Sequence, residues 1–322
     1  MTTHAHPINT IIGADVAKAE IVICHHQLNQ PQTIPNQPRA LAQWLKTLPL
    51  AACIAVEATN TYHLTLVELA HKRGHQVFLI DGYRLNHYRK GLGGRAKTDA
   101  SDAQLLARYL AHERTHLRPW TPPPPAYRLL QRLLRRRAAV VKTRVALTQS
   151  FHDDAAMRRL IKPVLLKLNQ LIRQLEQQLT QTAAQADVDH DIRRCRAVEG
   201  IGPLTATALV MASLRGTFNN SDAFIAFLGL DVRVKESGTY SGRRRLTKQG
   251  DPEIRRLLHT AAMAASRQAA WKPFYQRHLA RGLKPTQALV ALARKLARVA
   301  FALITQKTEY QSKAFSEASC AT

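Results

Sequence analysis

An α/β layer followed by two helical blocks is the fold class this chain predicts, and three observations predict it. The first 120 residues alternate short β-branched runs with amphipathic stretches, the pattern of an α/β layer. Thr121–Pro125 (TPPPP) is a stiff break in that pattern, the clearest boundary in the chain. Beyond it the apolar residues recur at three and four, which reads as helix. With 322 residues there is enough chain for about two domains with real cores.

Taken in order, Thr10–Ile12 is a strand running into Gly13-Ala14-Asp15, and Glu20–His26 is a second strand. Residues 39–48 form a helix with Leu41, Trp44, Leu45 and Leu48 on one face. Ala52–Ala58 is a short buried strand, 62–73 a helix stopped by Gly74, and Gln76–Ile80 another strand. A basic loop, GLGGRAK, then leads to a helix from about 100 to 112. Past the proline run, 127–150 and 161–182 are long helices. Leu168, Leu171, Ile172, Leu175 and Leu179 make a coiled-coil-like seam on the second. Such a seam closes either a hairpin inside one monomer or an arm between two. Residues 191–322 are helical again, with Leu289, Leu292, Leu296, Val299 and Leu303 as a core stripe. The expected domains are therefore 1–120, a helical coiled-coil arm at 121–190, and a mainly α-helical unit at 191–322.

Charge narrows the function. Lys and Arg number 47 against 22 Asp and Glu, a net of +25. Residues 1–120 contribute +5, 121–182 +9 and 183–322 +11. So large a surplus points to a polyanionic partner, by default nucleic acid. The longest apolar run, Leu50–Val56, is far short of the roughly 20 residues that span a bilayer. The start, MTTHAHPINT, has no charged segment leading into an apolar one, so no signal peptide is expected. Cys24, Cys53, Cys195 and Cys320 show no CxxC spacing. That excludes a zinc ribbon and suits reduced thiols in a cytoplasm, near the nucleoid.

In so basic a chain the carboxylates of the least basic third carry information. Asp15 ends a strand, Glu57 lies near the end of another, and Asp99 and Asp102 share one face at a helix start. Like charges so placed repel unless a cation lies between them. A hard divalent ion with oxygen ligands, Mg²⁺ or Mn²⁺, meets that need, and the four acids are expected to converge on shared ions. Asp99 taken alone reads as a helix cap. The set has the layout of ribonuclease-H-like nucleases.

Two further segments carry signals. Glu199-Gly200-Ile201-Gly202-Pro203 suits a helix-hairpin-helix with a basic flank (Arg193, Arg194, Arg196), Gly200 and Gly202 turning backbone N–H groups toward a phosphate. A plain interhelical turn would use the same residues. Ser237 and Gly238, followed by Arg243, Arg244, Arg245 and Lys248, form either a turn or a nucleophile beside cations. Arg135, Arg136 and Arg137 on the first long helix are read as phosphate contacts. His25-His26 and Asp187–Asp191 lack a convincing ligand set and read as solvated loops.

In combination GADVAK (13–18), EATNTY (57–62), KTDASDA (97–103), VEGIGPLTATAL (198–209) and FIAFLGLDVRVKESG (224–238) resemble the DEDD transposases of the insertion-sequence-110 family. That family is related to the Piv-type invertases and includes bridge-RNA-guided recombinases. The resemblance covers residues 10–265, with Asn60 where the family often has Gly and Asp231-Val232 in place of Thr-Pro. It implies a RuvC-like, ribonuclease-H-type first domain whose tetrad is Asp15, Glu57, Asp99 and Asp102. It also implies a C-terminal transposase domain whose nucleophile is Ser237, acting through a covalent phosphoserine. The implied partners are DNA, a structured guide RNA and further copies of the chain, as a dimer or tetramer. The expected activity is mobilisation of an insertion sequence. The alternatives are a site-specific invertase, a RuvC-like junction endonuclease and a non-catalytic nucleic-acid-binding protein.

Overall fold

A computed structural model describes residues 10–28, 30–58, 61–93, 98–233, 236–237, 240–241 and 244–312, with 236, 237, 240 and 241 as backbone. The chain divides into two compact units, Met1–Pro122 and Pro123–Thr322.

The first unit is built on a mixed five-stranded sheet. Its strands are β1 (Ile11–Val16), β2 (Glu20–His25), β3 (Pro31–Pro35), β4 (Cys53–Glu57) and β5 (Gln76–Ile80). Their spatial order is β3-β2-β1-β4-β5. β1, β2 and β3 pair antiparallel, whereas β1–β4 and β4–β5 are parallel. The helices are α1 (Pro38–Thr47), α2 (Leu64–Lys72), α3 (Gly82–Gly91) and α4 (Asp99–Glu113). Strand alternation sorts the sheet into two faces. Ile12, Ala14, Val16, Ile54 and Val56 pack against Leu41, Trp44 and Leu45 of α1 and Leu66, Val67 and Ala70 of α2. On the opposite face Cys53, Ala55, Phe78 and Ile80 meet Leu85 of α3 and Leu106 and Leu110 of α4. Leu106 and Leu110 are fully buried, worth about 1.5–3 kcal/mol each.

Two elements of this unit were not among those expected. β3 reads PQTIP, with Ile34 as its buried residue. Prolines are tolerated there because β3 is an edge strand. α3 has Leu85 as its buried residue, too little apolar content for a periodic signal, and it is started by the Asp81 carboxylate accepting from Tyr83 N and Arg84 N.

The second unit opens with α5 (Pro125–Ser150) and α6 (Ala155–Gln185). The bonds Arg137–Glu176 (2.7 Å) and Arg144–Asn169 (2.9 Å) fix them as an antiparallel hairpin. Ile172 and Leu179 of the expected seam are buried within it, while Leu171 is 41% exposed. The start of α6 at Ala155, ahead of the expected 161, comes from its Asp154 cap, and the helix continues through Pro163. The hairpin's base, from Tyr127, Leu130 and Leu134 to Leu179 and Ala183, enters the core of the unit.

The remaining helices are α7 (Asp189–Arg196), α8 (Pro203–Ser213), α9 (Ser221–Phe227), α10 (Pro252–Ala265), α11 (Lys272–Ala280) and α12 (Pro285–Gln306). The α12 stripe is core as expected, with Leu292 and Leu296 fully buried. The 191–322 region is not helical throughout, however. Between α9 and α10 lie β6 (Val232–Arg233), β7 (Glu236–Ser237), β8 (Tyr240–Ser241) and β9 (Arg245–Leu246). β6 pairs with β9 and β7 with β8, both antiparallel. Among the described residues no helix is long and apolar enough to cross a membrane.

Candidate active site

The same alternation that buries Ala14 and Val56 on one face sends their successors, Asp15 and Glu57, to the other. Ala14 is opposite Val56 in the parallel register, so the two acids leave adjacent strands side by side. α4 crosses this face against Gly13. A Cβ on Gly13 would overlap the Ala103 carbonyl oxygen and lie 2.5 Å from Ala107 N. The missing side chain is thus what lets the helix backbone touch β1, one residue past Asp102. A capping box fixes the start of α4: Ser101 N donates to Thr98 Oγ1 (3.2 Å) and Thr98 N to Ser101 Oγ (2.9 Å). Asp99 and Asp102 occupy its first turn, where the helix dipole favours negative charge. Asp99 is exposed, whereas Asp102 is only 5% exposed.

α3 completes the site. A Cβ on Gly82, its first residue, would collide with the Glu57 carboxylate, so glycine there leaves room for that acid. Near its other end Arg89 Nη2 donates to Asp102 Oδ1 at 2.5 Å. The electrostatics follow from the crowding. Asp15 is pushed up to about 6, first by burial and then by Asp102, Asp99 and Glu57, against a favourable bond from the Val16 N–H.

The four acids therefore share one end of the sheet. Among the described residues no three His, Cys, Asp or Glu side chains form a ready-made metal cage, while Asp15 feels the charges of all three other acids. The donor set still suits a hard divalent cation, since every donor is a carboxylate oxygen. Mg²⁺ commonly binds through one or two carboxylates while keeping several waters.

Ser237 belongs to the short ladder between α9 and α10, paired with Tyr240 across residues 238 and 239. Its base is tightly built. Gly229 has φ +69, and a Cβ there would lie 2.7 Å from Gly250 N; one on Gly250 would lie 2.5 Å from Leu228 C. Arg255 Nη1 donates to Gly250 O (2.6 Å) and Leu228 O (3.4 Å), joining both feet of the excursion. Thr247 Oγ1 donates to Asp231 Oδ1, and Thr247 N to Asp231 O at 3.0 Å. Asp231, where the family pattern has Thr, is thus a clasp. Arg245 and Lys248 are exposed beside it, and Arg244 is exposed with a partner of its own. Arg243 lies outside the described residues.

The other expected contacts divide. Gly200 has φ +89 and packs on α10, where a Cβ would lie 2.6 Å from Ala261 O; its glycine serves close packing and the left-handed turn. Gly202 is the α8 cap and meets no neighbour. Arg135 is paired with Asp251 (3.1 Å) and Arg137 with Glu176 (2.7 Å), while Arg136 is exposed. Asp189 and Asp191 are engaged by Arg193, Arg194 and Lys307. Cys24, Cys53 and Cys195 are buried, and burial pushes the Cys195 thiol up to about 12, leaving it inert. Sequence reasoning missed the roles of Arg89, Asp231, Thr247 and Arg255: the first three have partners 13 or 16 residues away, and Arg255 bonds both to nearby Gly250 O and to Leu228 O, 27 residues back. Gly229 and Gly250 were a visible signal for the last three, whose loop base they share; nothing local marked Arg89.

An all-oxygen acidic site in a chain of net charge +25 defines a protein class that works on phosphate backbones. Known proteins narrow the class. One family model, described as a transposase of the IS110 DEDD type, matches residues 12–155. A second, described as the IS116/IS110/IS902 transposase family, matches 192–276. The chain belongs to the IS110 family of transposases, a family whose substrate is DNA. It is 28% identical to a pilin gene-inverting protein of Moraxella bovis over 94% of this chain and 98% of that one. It is 29% identical to a probable family 20 transposase of Pseudomonas aeruginosa, over 93% and 98%. To the transposase of insertion element IS1328 from Yersinia enterocolitica it is 27% identical, over 94% and 99%.

Proposed function

We propose that this chain is the recombinase that mobilises an insertion sequence, cutting and rejoining DNA with a divalent ion at Asp15, Glu57, Asp99 and Asp102 and with Ser237 as nucleophile. The observation that carries the reading is the acidic end of the sheet, with Asp15 held near 6 by burial and three neighbouring acids. The strand order β3-β2-β1-β4-β5 supports a ribonuclease-H-like, RuvC-like reading of residues 1–120. In this reading 121–190 is an assembly arm, and 191–322 supplies the serine and a helix-hairpin-helix contact through Gly202. A bound Mg²⁺ or Mn²⁺ would stabilise the negative charge that builds on the phosphate.

The chain's own residues do the rest. In the assembled complex Ser237 Oγ bonds to phosphorus as the bond to the leaving sugar oxygen breaks; a carboxylate of another copy's acidic site takes the serine proton and hands it to that oxygen, which leaves as a hydroxyl. In the second step an incoming sugar hydroxyl attacks phosphorus as the serine Oγ–phosphorus bond breaks, and its proton passes through the same carboxylate to the released serine. The basic groups Arg136, Arg245 and Lys248 hold the strands, and a structured RNA and further copies of the chain complete the assembly. Site-specific inversion is the second reading, favoured by the near full-length similarity to the pilin gene-inverting protein.

The test uses the full chain on DNA carrying the element ends. Asp102→Asn is expected to abolish cleavage while DNA binding persists, and EDTA is expected to do the same. Ser237→Ala is expected to remove a denaturation-resistant protein–DNA adduct, and Ser241→Ala to keep it. Cleavage that continues in EDTA overturns the metal, and an adduct that survives Ser237→Ala overturns the serine. Hydrolysis without any adduct favours a junction nuclease.

A further inference from the structure

The geometry points to Arg89 as the positioning residue of the acidic site: it holds Asp102 by Oδ1 and leaves Oδ2 as the oxygen that ligates the divalent ion. The inference rests on the metal reading above. Arg89 Nη2 is 2.5 Å from Asp102 Oδ1, and the Ser101 hydroxyl is 3.5 Å from the same oxygen. Among the described residues nothing bonds Oδ2. The pair is enclosed, its side chains 16% and 8% exposed. Taking two charges out of water costs about as much as their attraction returns, so such a pair is weak evidence for a stabilising role. Orientation is the role left for it. Carboxylates that bind metals are themselves held by hydrogen bonds, and losing such a partner typically costs about 10–100-fold in metal affinity.

Arg89 is itself held in place. Leu85, one turn earlier on α3, is 1% exposed in the core. Tyr88 packs edge-on against Tyr109 of α4, with ring centroids 5.0 Å apart, and its hydroxyl is 2.8 Å from His112 Nδ1. α3 is thereby fastened to the helix that carries Asp102. Its first residue, Gly82, lies against the Glu57 carboxylate, so one short helix touches two of the four acids. A guanidinium suits the task better than an ammonium because its planar fork fixes direction as well as charge.

The experiment titrates Mn²⁺ into the full-length protein and reads free Mn²⁺ by electron paramagnetic resonance, so it needs no DNA and no turnover. Asp102→Asn defines binding at this site. Arg89→Gln is expected to weaken that binding by about 10–100-fold, and Arg89→Lys to fall between Gln and the wild type. Melting curves check that each variant folds; if Arg89→Gln does not, the Arg89→Lys affinity decides. Mn²⁺ bound by Arg89→Gln as tightly as by the wild type, or more tightly, overturns the inference alone, because the guanidinium would then be only a competing cation. A wild type with no Mn²⁺ site sensitive to Asp102→Asn overturns the metal reading and this inference with it.

Discussion

Replacing Gly13 with alanine adds one carbon where α4 lies on β1. The new Cβ would overlap the Ala103 carbonyl oxygen and stand 2.5 Å from Ala107 N. Comfortable contact needs about 3.5 Å, so the helix must withdraw by about 1 Å to clear Ala107 N and by more than that to clear the Ala103 carbonyl oxygen. Overpacking of this kind costs about 1–3 kcal/mol. Here the obstruction is backbone with no rotamer to yield, so the expected cost is at the upper end, about 3 kcal/mol. For a unit of this size that lowers the melting temperature by roughly 10 °C. The same movement carries Asp99 and Asp102 away from Asp15 and Glu57, and a 1 Å misplacement at a reacting centre can cost about 100-fold in rate. Thermal melts followed by circular dichroism, with strand-cleavage assays beside them, measure both effects. Gly216→Ala is the control, since a Cβ there meets nothing within 4 Å. Gly13→Ala melting within 1 °C of the wild type (about 0.3 kcal/mol at this slope) and cleaving normally would falsify the close approach as the device that assembles the acids.

Asp15→Asn in metal-free buffer should raise the melting temperature above pH 6 and lose that advantage toward pH 4. A carboxyl raised to about 6 when folded, from 3.8, makes the folded state bind more protons, so stability falls as pH rises through that window. An advantage that grows toward pH 4 would reverse the sign. Arg255→Ala should remove the bonds to Leu228 O and Gly250 O, lower stability by about 1.5–3 kcal/mol and suppress the Ser237 adduct. Its Mn²⁺ affinity should remain that of the wild type, and an undiminished adduct would show the clasp to be dispensable. DNA affinity should fall steeply with salt for the whole chain but shallowly for residues 1–120, which hold only +5 of the +25. Equal slopes for the two in filter binding would contradict that division.

What the sequence displays well is periodic. β1, β2, β4 and β5, the helices at 38–47 and 64–72, and the α12 stripe follow from alternation or three-four spacing, and burial confirms the faces. β3 and α3 escaped because each has one buried apolar residue, Ile34 and Leu85, and periodicity needs several. The acids were legible as a set because Asp15 and Glu57 end strands and Asp99 and Asp102 open a helix. Their spacing was not, since it depends on how closely α4 approaches through Gly13, a tertiary distance that no local pattern encodes. Gly200 shows a second reason for glycine that the sequence did not display. Its flanking arginines suggested a phosphate contact, but Ala261 and Ala265 occupy the space beside it, and those residues are some sixty positions away. Arg135 and Arg137 likewise read as contacts from regional charge, while their carboxylate partners, Asp251 and Glu176, are far off in sequence.

A hydrolytic nuclease and a recombinase can share an acidic site, so the first unit does not separate them; the base of the 232–246 excursion bears on the choice. A plain connection between α9 and α10 needs only polar residues and a turn. This one spends two glycines, Gly229 and Gly250, on backbones too close for any side chain. It adds an arginine across both feet and a Thr247–Asp231 clasp just outside β6 and β9. Ordering a loop this way costs conformational entropy, about 1–2 kcal/mol per residue fixed, which a connector has no reason to incur. Functional groups do require such footing, because a reacting atom must be held to within about 0.5 Å. Ser237 lies in sequence between the two feet of this base and is paired with Tyr240. Recombination gives that placement a purpose: a covalent phosphoserine keeps the phosphodiester energy that hydrolysis would release, so a strand can be rejoined without an outside source. Under the recombinase reading proposed above, the closely built base would serve a serine that acts, and the Ser237→Ala adduct assay decides.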